Sequence, residues 1–240
     1  MKKLLKPLMK FSPIALTRNQ YYDRLTLKII QKTLQKNTNC VDVGSHKGEF
    51  LKLFLKYSPT GTHFAFEPLP DFYQQLEKNF SPLGCKIFNV ALSNKQGETE
   101  FTHNVSNPAY SGFRERTYEH DNEVIQKIKV ATNSLDAIIP PEINIGFIKI
   151  DVEGAELGVL QGAQRVIEHS KPVIVFEHGL GAADHYNTTP ADIHSLLTNI
   201  GMDIFTLKSF LKGGKNLSSE EMQNLFNTGK EYYFAAAPTR

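Results

Sequence analysis

From residue 40 to residue 199, short apolar runs alternate with stretches of helical spacing, and few folds accept that order. CVDVG (40–44), HFAFEP (63–68), CKIFNVALS (85–93), IGFIKID (145–151) and residues 172–177 read as strands. EFLKLFLKY (49–57), Pro70–Phe80, residues 155–169 and Pro190–Asn199 read as helices between or after them. Most of these strands are apolar on both faces, which requires cover on both sides. Strand–helix alternation of that kind predicts an α/β fold with a parallel sheet sandwiched by helices. In such a sheet, ligands sit beyond the carboxyl ends of the strands, where the strand order reverses.

The flanking segments fit this frame. Leu25, Ile29, Ile30 and Leu34 give residues 20–36 helical spacing. Lys95, Gln96 and Gly97 read as a hairpin turn into ETEFTH (98–103). IQKIKVAT (125–132) is a strand, and SLDAII (134–139) a short helix with Ser134 as its cap. MDIFTL (202–207) and EYYFAAA (231–237) close the chain as strands. Residues 104–122 show no clean period. Their Tyr110, Phe113, Arg114 and Arg116 suit a lid that stacks on a sugar or clamps an acidic group.

The strand ends carry the chemistry. In chain order they present Asp42 and Gly44, then Glu67, Asn89 to Ser93, Asp151 with Glu153, and Glu177 with His178. Several acids on one rim need donors or a cation to meet them. In VDVGSHKGEF (41–50), Gly44 permits a turn with positive φ, and Gly48 permits close helix–strand approach. The backbone N–H groups there point from a helix start toward an anion. The dinucleotide fingerprint needs G-x-G-x-x-G, whereas this chain has G-x-x-x-G, with His46 where a pyrophosphate would need room. An acid at the end of a second strand, such as Glu67, commonly takes both hydroxyls of a ribose. Asp42, Gly44 and Glu67 together fit an adenosine-type ligand with an amino-acid end and no phosphates.

FIKIDVEGAELGVLQGA (147–163), together with VDVGSHKGEF, FAFEP, NVALSN (89–94) and VIVFEHG (173–179), resembles the FkbM family of S-adenosylmethionine-dependent methyltransferases. The resemblance covers about residues 38–180. It implies the Rossmann-like class I methyltransferase fold, a seven-stranded, mostly parallel sheet with helices on both faces and an antiparallel last strand. It implies S-adenosylmethionine as cofactor. Asp42, Gly44, Ser45, His46 and Gly48 would hold the methionine end, Glu67 the ribose, and Asn89, Val90 and Ala91 the adenine. Asp151 would stand next to the methyl group. The family's usual Ala-Asn in the turn is Ser45-His46 here.

Methyl transfer to a hydroxyl needs in-line positioning and a proton acceptor. Asp151, Glu153 and His178 are the candidates, with Glu156 shaping the site. Tyr110, Arg114 and Arg116 would contact the acceptor. The expected reaction is O-methylation of a saccharide or natural product. The alternative is a non-catalytic or nicotinamide-linked Rossmann-like protein, against which the G-x-x-x-G spacing and the acidic rim argue. The histidines lack metal-ligand spacing, so no metal is assigned.

Charge separates two segments, 1–37 as a basic arm and helix and 38–240 as the methyltransferase domain. Residues 1–36 hold nine Lys and Arg against Asp23 alone, which leaves 18 basic and 24 acidic residues for the body. The arm suits weak contact with an anionic membrane surface. The acidic body argues against nucleic acid as a partner. No apolar run is long enough to span a membrane, and MKKLLKPLMKF lacks the continuous apolar stretch of a signal peptide. Cys40 and Cys85 lie in apolar runs and read as buried thiols, so a cytoplasmic location is expected.

Overall fold

A computed structural model describes residues 17–108, 111–114 and 123–239. Seven strands form the main sheet in the order β3-β2-β1-β7-β8-β10-β9. They are β1 (Asn39–Val43), β2 (His63–Phe66), β3 (Lys86–Phe88), β7 (Ile145–Ile150), β8 (Val173–Glu177), β9 (Met202–Thr206) and β10 (Tyr233–Pro238). All lie parallel except the last, β10, which runs antiparallel to both its neighbours. Strand order reverses between β1 and β7, since the chain builds outward from β1 to β3 and then returns to its other side.

Alternate residues of each central strand feed two separate cores, as a period of two requires. Val41, Val43, Ile148, Ile150, Ile174 and Phe176 enter one. It is covered by α5 (Glu156–Gln161), α6 (Gln164–Ser170), α7 (Pro190–Asn199) and α9 (Ser219–Asn227). Cys40, Phe147, Val175 and Ala235 enter the other. It is covered by α1 (Arg18–Thr33), α2 (Glu49–Tyr57), α3 (Pro70–Phe80) and α8 (Leu207–Lys212). Helices therefore flank both faces. Ile29 and Ile30 of α1 are fully buried against this second face, so α1 shares its core. Thr17 and Gln20 start α1 with a reciprocal capping box, and Arg18 ties it to the carbonyls of Gly229 and Lys230. The arm that precedes it, residues 1–16, lies outside the described residues.

Three local expectations need correction. The run 85–93 is two strands. β3 pairs with β2, and β4 (Ala91–Leu92) leaves to join a small sheet ordered β4-β6-β5. Asn89 holds the chain at that departure by donating to the carbonyls of Glu67 and Pro68. Residues 95–97 do not close a hairpin. β5 (Gly97–Asn104) pairs antiparallel with β6 (Ile125–Asn133), and β4 pairs with the other edge of β6. A continuous apolar run does not say which neighbour each part will choose. The helix expected over 155–169 breaks at Gly162, where a Cβ would lie 2.2 Å from the Ser93 carbonyl oxygen. The short α4 (Leu135–Ile138) has Ser134 as its cap, as the sequence predicts. α8 and α9 were not anticipated.

Candidate active site

A cavity of about 230 Å³ opens at the carboxyl ends of β2, β1, β7 and β8. One wall is the turn from β1 into α2. Gly44 has φ +74°, and a Cβ there would lie 1.9 Å from the Asp151 carbonyl oxygen, so only glycine lets the two strand ends meet. Ser45 donates to the Asp42 carbonyl, and His46 follows at φ 48° with its ring 4.2 Å from that of Phe72. Gly44, Ser45 and His46 line the cavity. Gly48 does not; it allows α2 to pack on Phe80 and Leu76, which a Cβ would strike at 2.5 and 2.9 Å.

Glu67 joins this wall to the end of β2. Its carboxylate accepts from the backbone N–H of His46 at 2.8 Å and of Leu69 at 2.9 Å. Burial pushes its pKa up to about 7 against the lowering effect of those two donors. Each oxygen keeps a lone pair for a further donor. Val90, Ala91, Leu92, Leu69 and Phe101 give the apolar side of the cavity. Asn89 supports the wall from outside the lining.

The opposite wall carries charge. Asp42 and Lys149 are register partners, and their side chains share the sheet face under α1 and α2. Neither oxygen of the buried Asp42 carboxylate has a hydrogen-bond partner, and burial raises its pKa to about 6 although Lys149 opposes the rise. Asp42 lies behind the lining. Lys149 reaches past the Phe50 ring to Asp151 Oδ2 at 3.0 Å, and the Tyr233 hydroxyl donates to the same oxygen at 2.9 Å. Burial alone would raise the Asp151 pKa, but the Lys149 charge and the two donors overcome it and hold it at about 2. Carboxylate oxygens of Asp151, Glu153 and Glu177 lie within 4.8 Å of one another. Within this group, Asp151 meets the Lys149 ammonium.

Glu153 takes φ 56° in the turn after β7, a conformation that side chains other than glycine rarely adopt. Glu156 holds that turn by accepting from the N–H groups of Val152 at 3.3 Å and Gly154 at 2.9 Å. It is buried, and desolvation lifts its pKa to about 7. Its place is structural and under the site, as a shaping residue.

Of the proton-acceptor candidates, Asp151 and Glu153 come together and His178 does not. The His178 ring stacks on Phe226 at 5.0 Å, is 1% exposed and is outside the cavity lining. Burial lowers its pKa to about 4, and neither nitrogen has a partner. The next residue along the chain after a strand faces the other core, which is why adjacency to Glu177 misleads.

A strap of residues 111–114 packs at the cavity. Thr102 and Gly112 exchange backbone hydrogen bonds of 2.8 and 3.0 Å, and the Arg114 N–H donates to the Tyr186 hydroxyl at 3.1 Å. Ser111 and Phe113 line the cavity, and Phe113 packs edge-on to Phe101. The Arg114 side chain is exposed and outside the lining. Tyr110 and Arg116 lie outside the described residues. Lys149, Tyr233, Phe50, Glu49, Asn19 and Asp23 also line the site, none of them expected. The one available signal was Lys149, a lysine inside an otherwise apolar strand and two residues before Asp151.

The surroundings fit S-adenosylmethionine on two counts. An acid with spare lone pairs ends β2, and the lining beyond it is apolar. Among the described residues no helix is long and apolar enough to cross a membrane.

A solved methyltransferase structure shares this architecture. A methyltransferase FkbM from Methylobacillus flagellatus KT superposes with a TM-score of 0.51 at 17% identity, over 85% of this chain and 44% of that one. This chain thus spans less than half the length of that protein. A SAM dependent methyltransferase from Aquifex aeolicus aligns with a TM-score of 0.46 at 12% identity, over 99% of this chain and 97% of that one. Among curated proteins, none matches the sequence. The Methyltransferase FkbM domain matches residues 42–204, which is more than half of the chain and contains the glycine turn, Glu67, Asp151 and Glu177. The protein belongs to the FkbM methyltransferase family.

Proposed function

We propose that this chain binds S-adenosylmethionine and transfers its methyl group to a hydroxyl of a saccharide or natural-product acceptor. The observation that carries the reading is that one cavity has Glu67 and the Gly44–His46 turn on one side and Asp151, Glu153 and Glu177 on the other. Glu67 accepts from the ribose hydroxyls with the lone pairs left by His46 and Leu69. The turn from Gly44 to His46 would pack against the methionine end; its own N–H groups are taken, Gly44 and Ser45 by the Phe66 carbonyl and His46 by Glu67. Val90, Ala91 and Leu92 enclose the adenine. When bound, the cofactor supplies an electrophilic methyl on a sulfonium.

The remaining work belongs to the chain. Asp151 lies two strands from Glu67 across the sheet, and Glu177 three. With strands spaced about 4.8 Å apart, Glu67 and the Asp151–Glu177 pair could hold the two ends of the cofactor. Asp151, held ionised by Lys149, favours positive charge there. The acceptor enters beside Glu153, Glu177 and Tyr233, and the strap through Ser111 and Phe113 excludes water above it.

The test is transfer of isotope-labelled methyl from S-adenosylmethionine to a panel of hydroxylated saccharides and polyols, with amines and nucleic acid alongside. Label appearing as a methyl ether supports the reading, and label confined to amines or nucleic acid overturns it.

A further inference from the structure

Three carboxyl groups converge at the acceptor side of the cavity, and two donors meet on one of them. Lys149 and Tyr233 both spend their contact on Asp151 Oδ2. Glu177 ends β8, faces Tyr233 across the ladder, and stands one strand farther from Glu67 than Asp151 does. A carboxylate oxygen of Glu177 lies within 4.8 Å of one on Asp151 and one on Glu153. Charges this close do not all ionise together.

We propose that Glu177 and Asp151 share one proton that resides on Glu177, and that Glu177, once freed of it, takes the proton of the acceptor hydroxyl. The proposal rests on the cofactor and reaction assigned above. Asp151 stays ionised, with its pKa near 2, and serves as the fixed negative charge. A group held so low is a poor proton acceptor. Glu177 is the reverse case, pushed well above the carboxylate range by burial and then by Asp151, Glu153 and Glu156.

Asp151, Glu153 and Glu156 after β7 bear on it directly, and Tyr232 and Tyr233 at β10 feel its charge. Among the described residues Lys149 on β7 and Asp23 on α1 line the same cavity, and the Lys149 ammonium contacts Asp151. A sulfonium cation entering the site adds positive charge and favours the ionised form of Glu177. In the transfer step the acceptor oxygen forms a bond to the methyl carbon, and the carbon–sulfur bond breaks with its pair going to sulfur. The hydroxyl proton passes to the Glu177 carboxylate, which restores the shared-proton state. S-adenosylhomocysteine is neutral at sulfur and leaves that state undisturbed.

Two measurements test this without an acceptor. Infrared difference spectra of the chelator-treated protein alone, at about pH 8, should show a protonated-carboxyl band in the wild type. The band should be absent from Glu177→Gln and shifted in Glu177→Asp, both checked for folding by circular dichroism; the dependence on position 177 separates it from Glu67 and Glu156, whose pKa values burial also raises. Calorimetry in two buffers of different ionisation heat should count about one more proton released on binding S-adenosylmethionine than S-adenosylhomocysteine, a difference absent in Glu177→Gln. A wild-type spectrum without a band that responds to position 177 overturns the shared proton. Equal proton counts for two ligands that both bind overturn the coupling to the sulfonium. Failure of both ligands to bind removes the cofactor reading instead, and the infrared result still decides the protonation of Glu177.

Discussion

The Lys149 ammonium lies 3.0 Å from Asp151 Oδ2, with only 5% of the lysine side chain exposed. It is also the register neighbour of Asp42, so one buried cation balances two acids. Removing one partner of a buried pair leaves uncompensated charge at a cost of about 3–5 kcal/mol. Lys149→Met should therefore lower the unfolding free energy by roughly that amount at neutral pH, read from urea melts. Much of the loss should be recovered in Lys149→Met combined with Asp151→Asn. Additive losses in the double variant would show that the two residues act separately.

Two glycines of similar φ should behave very differently. Gly44 at +74° abuts the Asp151 carbonyl oxygen, while a Cβ at Gly84, with φ +88°, would meet nothing within 4 Å. Gly84→Ala should cost only the left-handed penalty of about 1–2 kcal/mol. Gly44→Ala must also part the ends of β1 and β7, and should cost at least twice as much and abolish cofactor binding. Thermal melts and calorimetry of the two variants make the comparison; equal effects would mean the strand-end contact is unimportant.

Acid dependence follows from three buried carboxyls. The pKa values of Asp42, Glu67 and Glu156 rise in the folded chain to about 6, 7 and 7 from 3.8, 4.5 and 4.5. A raised pKa means the folded state holds its proton longer than the unfolded chain. The stability these groups lend is therefore complete below about pH 4 and is lost as pH rises through 6 and 7. Asp151 works oppositely, its contribution present above its unfolded value of 3.8 and lost as pH falls toward 2. Urea midpoints should decline from about pH 5 to pH 8, less steeply in Glu156→Gln. A midpoint that climbs over this window would contradict the assignment.

Tyr186 anchors the strap through one hydrogen bond to the Arg114 N–H. Tyr186→Phe should cost only about 1 kcal/mol globally, the usual worth of one such bond. Amide exchange at residues 111–114 should quicken by an order of magnitude or so, since local opening is what that bond restrains. Unchanged exchange there, with slowed or unaffected neighbours, would place the restraint elsewhere.

Much of this site could be read before the structure. Strand ends followed from apolar runs, so Gly44, Glu67, Asp151 and Glu177 fell on one rim because parallel strands share a direction. What failed was whatever depended on a partner remote in sequence. The run 85–93 looks uniform, yet its halves pair with different sheets. At Gly162, where the helix breaks, a Cβ would strike Ser93, far away in the chain. Lys149 and Tyr233 belong to the site through a register that no local pattern records. His178 was misplaced for a local reason, since one residue's shift at a strand end changes the face.

The central claim is that this cavity binds S-adenosylmethionine through Glu67. Calorimetric titration of the full chain with S-adenosylmethionine and S-adenosylhomocysteine, with NAD as control and Glu67→Ala beside the wild type, tests it most directly. Two hydrogen bonds to a charged acceptor are worth about 1.5–3 kcal/mol each, so the variant should bind at least tenfold more weakly. Micromolar binding of both cofactor forms, that weakening in the variant, and no heat from NAD are the predicted result. Preference for NAD, or cofactor binding that Glu67→Ala leaves intact, would contradict it.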